Sequence, residues 1–139
     1  MQNNPEIEQI VDAAVKLARD KRHEYVLTEH VLLSMIRHTA FRKVLEKYGT
    51  DVPMFEHELE SYLDSLVNLV KDTDVQPKKT NALERCFNRA LTQVLFTGRR
   101  SVTTVDLYLA MMSETNSHAH YFLLKYGITK GEFVEFYQK

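Results

Sequence analysis

An internal repeat is the feature that most constrains how this chain of 139 residues can fold. The segment from 23 to 36 reads HEYVLTEHVLLSMI, and the segment from 99 to 112 reads RRSVTTVDLYLAMM. At one constant offset, which we call the first offset, similar side chains fall on one another: Val26 on Val102, Thr28 on Thr104, Met35 on Met111 and Ile36 on Met112. Repetition at a fixed spacing is typical of a unit present in two copies, which pack together because neither buries its apolar face alone.

Apolar residues at helical spacing predict four helices in the first copy. The first helix begins at Pro5 behind an asparagine cap, and Thr28 caps the second. Gly49 ends the third helix, and Asp51 caps the fourth. We expect the buried faces to hold Ile7, Ile10, Val11, Ala14, Ala18, Val31, Leu32, Met35, Ile36, Phe41, Val44, Leu45, Tyr48, Phe55, Leu59, Tyr62, Leu63 and Leu66.

Four corresponding helices are predicted in the second copy. Their boundaries are marked by the caps Thr80 or Asn81 and Thr103 or Thr104, by the glycines Gly98 and Gly127, and by a capping box at Thr129–Glu132. From the seventh helix onward the offset between the copies is slightly larger, and at this second offset Phe133 corresponds to Phe55. The inward faces are predicted to hold Leu83, Phe87, Ala90, Leu91, Val94, Leu107, Met111, Met112, Ala119, Phe122, Leu123 and Tyr126.

These patterns predict an all-α fold of about eight helices, in which two pseudo-symmetric four-helix repeats pack as one domain. The first repeat is placed at about residues 5–70 and the second at about 80–138. A linker between them is predicted at about 71–79, where KDTDVQPKK is charged and has no periodicity. No segment alternates over enough residues to predict a strand.

Composition excludes several classes of function. The net charge of −1 and the sequence pI near 6.6 provide no large positive field for nucleic acid or anionic lipid. The single cysteine excludes an internal disulfide and favours a reducing compartment. The chain contains no stretch apolar enough to span a membrane and no signal-peptide pattern at its start, so we expect a cytoplasmic protein that is monomeric as an isolated domain.

The repeated segments resemble the amino-terminal domain of Clp ATPases, a double-repeat domain. RHEYVLTEHVLLSMI at 22–36 is similar to that family's H-x-[FY]-…-T-x-E-H-[LIV]-L-L signature, and SVTTVDLYLAMMSE at 101–114 is similar to its degenerate second copy. RHEYVLTEH at 22–30 and TNALERCFNRAL at 80–91 most resemble the ClpA type, and the resemblance covers nearly all of 5–137. It implies a domain on top of a hexameric unfoldase that binds ClpS-type adaptors and substrates for delivery to the ClpP protease.

The resemblance also implies which residues bind a partner. Glu24 and Glu29 match acidic residues that contact ClpS in ClpA-type domains, and Thr80 matches a threonine at the same contact. With His23 and Arg85 they make up the predicted partner-binding set. We expect Glu24 in an exposed connection, and Glu29 in the first turn of a helix, to offer charge-assisted hydrogen bonds. The structural alternatives are a first-turn acid that stabilises its helix for Glu29 and a helix cap for Thr80.

Catalytic and metal chemistry are not predicted. His23 and His30 lie near each other in sequence and His118 and His120 form His-x-His, but zinc needs three or four converging ligands, and residues at i and i+2 do not share a helix face. Cys86 lies beside two arginines without a His–Asp pattern, so we interpret it as a half-buried helix residue. No cofactor is predicted, and no Walker A pattern for ATP is present in these residues.

Four other functions compete with adaptor docking on an unfoldase. The chain is alternatively a free-standing Clp amino-terminal domain that competes for the adaptor or for substrates. A ClpC-like domain that binds phosphorylated arginine degrons is disfavoured because the second signature acid is replaced by Val105. A helical nucleic-acid-binding domain is disfavoured by charge, and a helical-bundle enzyme by the absence of a converging polar set.

Overall fold

A computed structural model describes residues 2–3, 5–66, 76–126 and 130–138 of the protein. The described residues form eight helices, as predicted: α1 (Pro5–Asp20), α2 (Thr28–Arg37), α3 (Thr39–Tyr48), α4 (Val52–Asp64), α5 (Asn81–Phe96), α6 (Thr104–Met112), α7 (His118–Lys125) and α8 (Lys130–Gln138). The repeat is confirmed in detail, because α1 and α5 have equal length and both of their ends are related by the first offset. The starts of α4 and α8 are related by the second offset.

Four two-residue strands join the repeats in the part of the chain that the structure describes, although none was expected from the sequence. They are β1 (Gln2–Asn3), β2 (Tyr25–Val26), β3 (Lys78–Lys79) and β4 (Ser101–Val102). β1 pairs in parallel with β4, and β2 pairs in parallel with β3. Each ladder therefore takes one strand from each repeat, and the first offset relates one ladder to the other. Strands this short cannot show the alternation that identifies a strand in a sequence.

Aromatic side chains of each repeat also pack against aromatic side chains of the other. Tyr48 of α3 packs edge-on against Phe133 of α8, with ring centroids 5.5 Å apart. The equivalent pair at the second offset is Tyr126, which stacks on Phe55 of α4 at 4.8 Å. Both phenylalanines are fully buried, as their predicted correspondence requires. Because each repeat completes the core of the other, the two four-helix units pack as one body.

The buried faces agree with the predicted periodicity, with one clear exception. Leu91 is predicted to face inward but is 36% exposed, because the inward stripe of α5 runs instead through Leu83, Cys86, Ala90 and Val94. The predicted linker is corrected at its end as well. Pro77 is buried and Lys78–Lys79 form β3, so this part of the segment is structural. Residues 67–75, Gly127 and Thr129 lie outside the described residues.

Where the cap residues are described, the helix caps agree with the sequence except at α2. Asp51 accepts a hydrogen bond from the Met54 amide at 3.2 Å, as predicted. Thr28 is not the cap of α2: it is the first helical residue, and extended backbone at Leu27 places Leu27 at the cap. Leucine has no side-chain acceptor for the first-turn amides, and the side-chain bond at this cap runs the other way: Nδ1 of His30 accepts the Leu27 amide hydrogen at 2.8 Å.

Replacing Gly49 with alanine should lower the free energy of unfolding by about 1 kcal/mol. Gly49 ends α3 at φ 102°, a conformation that a side chain disfavours, while no atom of the described residues outside its immediate neighbours lies within 4 Å of an added Cβ. The cost is therefore backbone strain alone, and urea denaturation would measure it. Gly131 is the matched control, because it lies within α8 with equally open space. Alanine there should be neutral or stabilising, and an equal loss at both positions would contradict the argument.

Candidate docking site

The β2–β3 ladder brings two predicted partner-binding segments together. The Lys78 amide donates to the Glu24 carbonyl at 3.1 Å, and the Thr80 amide donates to the Val26 carbonyl at 3.2 Å. Glu24 and Thr80 come from different repeats and are distant in sequence, yet these bonds hold their backbones side by side. The expectation that both belong to one surface thus has a geometric basis in a parallel ladder.

Most side chains along this ladder face solvent. Glu24, Lys78 and Lys79 are exposed, and Tyr25 is 42% exposed. The Lys79 ammonium lies 5.6 Å from the centroid of the Phe87 ring, in cation–π range. We call Glu24, Tyr25, Lys78, Lys79 and Thr80 the ladder surface. It combines an aromatic side chain with charges of both signs on a fixed backbone.

Thr80 and Arg85 each have a structural partner within the protein. The Thr80 hydroxyl oxygen accepts the Leu83 amide hydrogen at 3.2 Å and caps α5, as predicted, and its hydroxyl hydrogen is still available to donate. Arg85 is exposed and binds the buried carboxylate of Glu114 at 2.7 Å. Hydrogen bonding to Arg85, with a second arginine at Arg89, holds the pKa of Glu114 below its ordinary value.

His23 is buried beneath the ladder surface, and not exposed on it. It is 5% exposed, and its Nδ1 lies 2.7 Å from Nε2 of His30, which is fully buried. Burial lowers the pKa of His23 and lowers that of His30 to about 3, and in each case a positive neighbour adds to the effect. His23 can therefore affect partner binding only by supporting the ladder surface from below, and not by contacting the partner itself.

Glu29 occupies the first turn of α2 as predicted, but it is 6% exposed. Its Oε2 accepts the Ala119 amide hydrogen at 3.3 Å, which links α2 to the start of α7 in the other repeat. Burial raises the pKa of Glu29 to about 7, although the hydrogen bonds from Ala119 and from its own backbone act in the opposite direction. The expectation of a surface carboxylate is therefore corrected, because α7 covers it.

The second repeat has an ion pair where the first has two histidines. Arg99 and Asp106 correspond to His23 and His30 at the first offset, and two guanidinium nitrogens of Arg99 donate to Asp106 at 2.6 and 3.0 Å. Burial alone would raise the pKa of Asp106, but hydrogen bonds from Arg99 and Thr103 outweigh it and hold the pKa below its ordinary value. This pair lines a cleft of about 490 Å³ next to α5 and α6.

Metal and thiol chemistry find little support in the described residues. Among them, no group of three or more His, Cys, Asp and Glu side chains is placed to hold a metal ion. Cys86 is fully buried, more so than predicted, and burial raises the pKa of its thiol to about 11. A thiol of this kind is a poor nucleophile. Within the same residues, no helix combines the length and apolar character that crossing a bilayer requires.

Comparison with known sequences identifies relatives over nearly the whole chain. The family model of the Clp repeat amino-terminal domain matches residues 3–126. A ClpA homolog protein of Fuscovulum blasticum is 31% identical over 134 residues, which are 94% of this chain and 17% of that protein. The chaperone protein ClpB 1 of Parasynechococcus marenigrum is 36% identical over 80 residues, 57% of this chain and 9% of that protein. The chain thus spans less than a fifth of the length of these two relatives.

Solved structures share the fold at low sequence identity. The amino-terminal domain of Hsp104 from Candida albicans superposes with a TM-score of 0.81 at 12% identity, covering 98% of this chain and 89% of that one. The N-domain of ClpV from Vibrio cholerae gives 0.77 at 17% identity, covering 97% and 82%. A ClpV N-domain in complex with a VipB peptide gives 0.71 at 17% identity, covering 93% and 80%. With its two repeats, its signature segments and these relatives, the chain belongs to the family of Clp repeat amino-terminal domains.

Proposed function

We propose that this chain is the adaptor- and substrate-docking domain of a ClpA-like unfoldase, and that it binds a ClpS-type adaptor in order to deliver proteins to the ClpP protease in the cytoplasm. The chain performs no chemistry in this proposal. It binds its partner reversibly and passes the substrate to an ATPase ring that another part of the protein supplies. The 31% identity to a ClpA homolog supports the choice of unfoldase class.

The observation that carries the proposal is the ladder surface. Two segments from different repeats present exposed side chains there on a backbone that two hydrogen bonds hold in place. A pre-organised surface loses little conformational entropy on binding, so its polar contacts contribute more of their energy to affinity. Tyrosine with nearby charges of both signs is also a composition typical of protein interfaces rather than of nucleic-acid surfaces.

Each predicted residue has a distinct part in the proposal. Glu24 presents its carboxylate to a donor on the partner, and the Thr80 hydroxyl donates at the same contact. Arg85 lies farther along α5 and keeps its ion pair with Glu114. The remaining two, His23 and Glu29, act from beneath by holding the ends of the 23–29 segment.

The competing functions differ in what they require of these residues. A domain that binds phosphorylated arginine needs accessible acids, whereas Glu29 is covered by α7 and its counterpart Val105 has no charge. The geometry therefore favours adaptor docking over degron binding. A free-standing competitor would use the same ladder surface, and only the presence of an ATPase module in the full reading frame distinguishes it.

Charge reversal by Glu24→Lys should weaken adaptor binding by about tenfold or more, because a charge-assisted hydrogen bond contributes about 1.5–3 kcal/mol. Isothermal calorimetry of this domain against a ClpS-type adaptor would measure the dissociation constant. Arg100→Glu is the matched control. Arg100 is exposed, and it corresponds to Glu24 at the first offset, so it lies at the equivalent place beside the β1–β4 ladder.

The outcomes separate the site from the function. Binding by the natural domain that Glu24→Lys weakens and Arg100→Glu preserves supports both. Equal effects of the two reversals would contradict the ladder surface as the contact. No saturable binding of the adaptor by the natural, folded domain would contradict ClpS-type docking itself.

A further inference from the structure

We propose that the buried His23–His30 pair is a proton-sensitive latch beneath the ladder surface: the closed pair stays neutral, whereas mild acid favours an opened 23–26 segment whose freed rings take up protons, and this opening weakens partner binding. The binding consequence rests on the proposed function. The conformational consequence does not depend on it, because it concerns hydrogen bonds within the chain.

A single chain of hydrogen bonds fixes where the protons of the pair lie. The Leu27 amide donates to Nδ1 of His30, so in the neutral ring Nε2 of His30 carries the proton and donates to Nδ1 of His23 at 2.7 Å. The remaining nitrogen of His23, Nε2, then carries the proton of that ring. Every ring nitrogen has one role in this chain.

An added proton cannot be accommodated by this arrangement. A proton on Nδ1 of His30 faces the Leu27 amide hydrogen, and a proton on Nδ1 of His23 faces the Nε2 hydrogen of His30. Either change breaks a bond that holds the connection between α1 and α2. The same connection supplies Glu24 and Val26, whose carbonyls bind β3 and the Thr80 amide that follows it. Opening the pair therefore loosens the ladder surface directly.

The charged groups around the pair do not compensate for an added proton. Lys21 adds positive charge beside both rings, whereas Asp64 at the end of α4 adds negative charge beside His23. Lys21 is already bound to Asp64 and lies 3.5 Å from Glu60. No carboxylate among the described residues is hydrogen-bonded to either imidazole, so the folded arrangement favours two neutral rings.

In the second repeat, the equivalent contact is made by side chains that do not change charge in mild acid. Arg99 and Asp106 occupy the equivalent positions, and Asp106 accepts the Thr103 amide hydrogen at 2.8 Å as His30 accepts that of Leu27. This ion pair persists through the pH range in which a free imidazole gains its proton. One domain thus contains two versions of one link, and only the version beneath the ladder surface responds to mild acid.

The test replaces the histidine pair of the first repeat by the ion pair of the second, in the double variant His23→Arg/His30→Asp. Hydrogen exchange would report the protection of the Lys78 and Thr80 amides at pH 7.5 and pH 5.5, with the β1–β4 ladder as the internal reference. In the natural chain we expect the protection of these amides to fall by about tenfold for each ring that opening frees, and so by about a hundredfold when both are freed, because a free imidazole at pH 5.5 is about ten times more often protonated than neutral. The double variant should show no such loss. Calorimetry with the adaptor should show that the affinity of the natural chain falls between pH 7.5 and pH 5.5. The affinity of the double variant should not show this fall.

A measurement on the natural chain covers the case in which the double variant does not fold. The free energy of opening at the Thr80 amide, measured by hydrogen exchange at several pH values below about 6.5, should fall with the slope expected for proton uptake by the two rings on opening. Unchanged protection at pH 5.5, or an equal loss in both proteins, would overturn the latch. A loss of protection confined to the natural chain, without adaptor binding at either pH, would support the latch and contradict the proposed docking function instead.

Discussion

Replacing Glu29 with glutamine should raise the free energy of unfolding at pH 8 by about 2–3 kcal/mol. Burial raises the pKa of Glu29 from an ordinary 4.5 to about 7, so the folded protein holds this proton more tightly than the unfolded chain does. Ionising the carboxyl group therefore costs stability progressively as the pH rises from about 4.5 to about 7. Glutamine removes that cost and keeps an oxygen that can accept the Ala119 amide hydrogen.

Urea denaturation at pH 8 and at pH 4.5 would test this prediction. The gain should be present at pH 8 and mostly absent at pH 4.5, where the natural side chain is largely protonated in the folded state. Glu114→Gln is the contrasting control, because that buried carboxylate is paired with Arg85 and its pKa is lowered. This control should lose stability at pH 8. A Glu29→Gln protein that is no more stable than the natural one at pH 8 would show that Glu29 is not buried as an ionisable group.

The burial of Glu29 also changes how a charge reversal there must be interpreted. Glu29→Lys would place an ammonium group beneath α7 against the Ala119 amide hydrogen, and burying a charge that lacks a compensating partner typically costs several kcal/mol. Loss of adaptor binding by that variant would therefore report unfolding as readily as a lost contact. Glu24 is the sharper position for this purpose, because its side chain is exposed.

Replacing Phe133 with alanine should lower the free energy of unfolding by about 3–5 kcal/mol, the usual cost of deleting a buried aromatic ring. Phe133 is the residue through which α8 enters the core of the first repeat. It is fully buried, and its ring packs against those of Phe41, Tyr48 and Tyr108 at centroid distances of 5.1 to 6.3 Å. A cavity at this position removes contacts with both repeats at once.

Phe96→Ala is the matched control for this deletion. Phe96 ends α5 and is 89% exposed, so the same change should alter stability by no more than about 0.5 kcal/mol. Chemical denaturation followed by circular dichroism would measure both variants. If the two substitutions had similar small effects, the packing of α8 between the repeats would be wrong. A large loss at Phe133 alone would support the aromatic packing that joins the two halves.

The helices and the repeat could be derived from the sequence because both are recorded locally. Apolar residues every three or four positions define a helix face wherever that helix lies, and Gly49 and Asp51 mark boundaries through their own backbone and side chain. The correspondence of Phe55 with Phe133 follows from the offset alone. These features need no knowledge of what packs against them.

The site was only partly predictable for the same reason. Glu24 and Thr80 were chosen by resemblance, but their proximity depends on a short ladder that no periodicity reveals. The predicted cap at Thr28 is wrong by one position, because Leu27 is extended and takes the cap position, and no local pattern marks a leucine as a cap. Nothing in the spacing of His23 and His30 indicates that their rings meet in the interior.

The helices, the twofold repeat and the family of this protein can thus be inferred from the amino-acid sequence. Which polar residues are accessible depends, in contrast, on how distant segments of the chain pack together. Glu29 is a first-turn acid in either description, but its burial depends on Ala119, which lies far along the chain in the other repeat. Helical periodicity reports the face on which a residue lies, whereas desolvation depends on which other part of the chain covers that face.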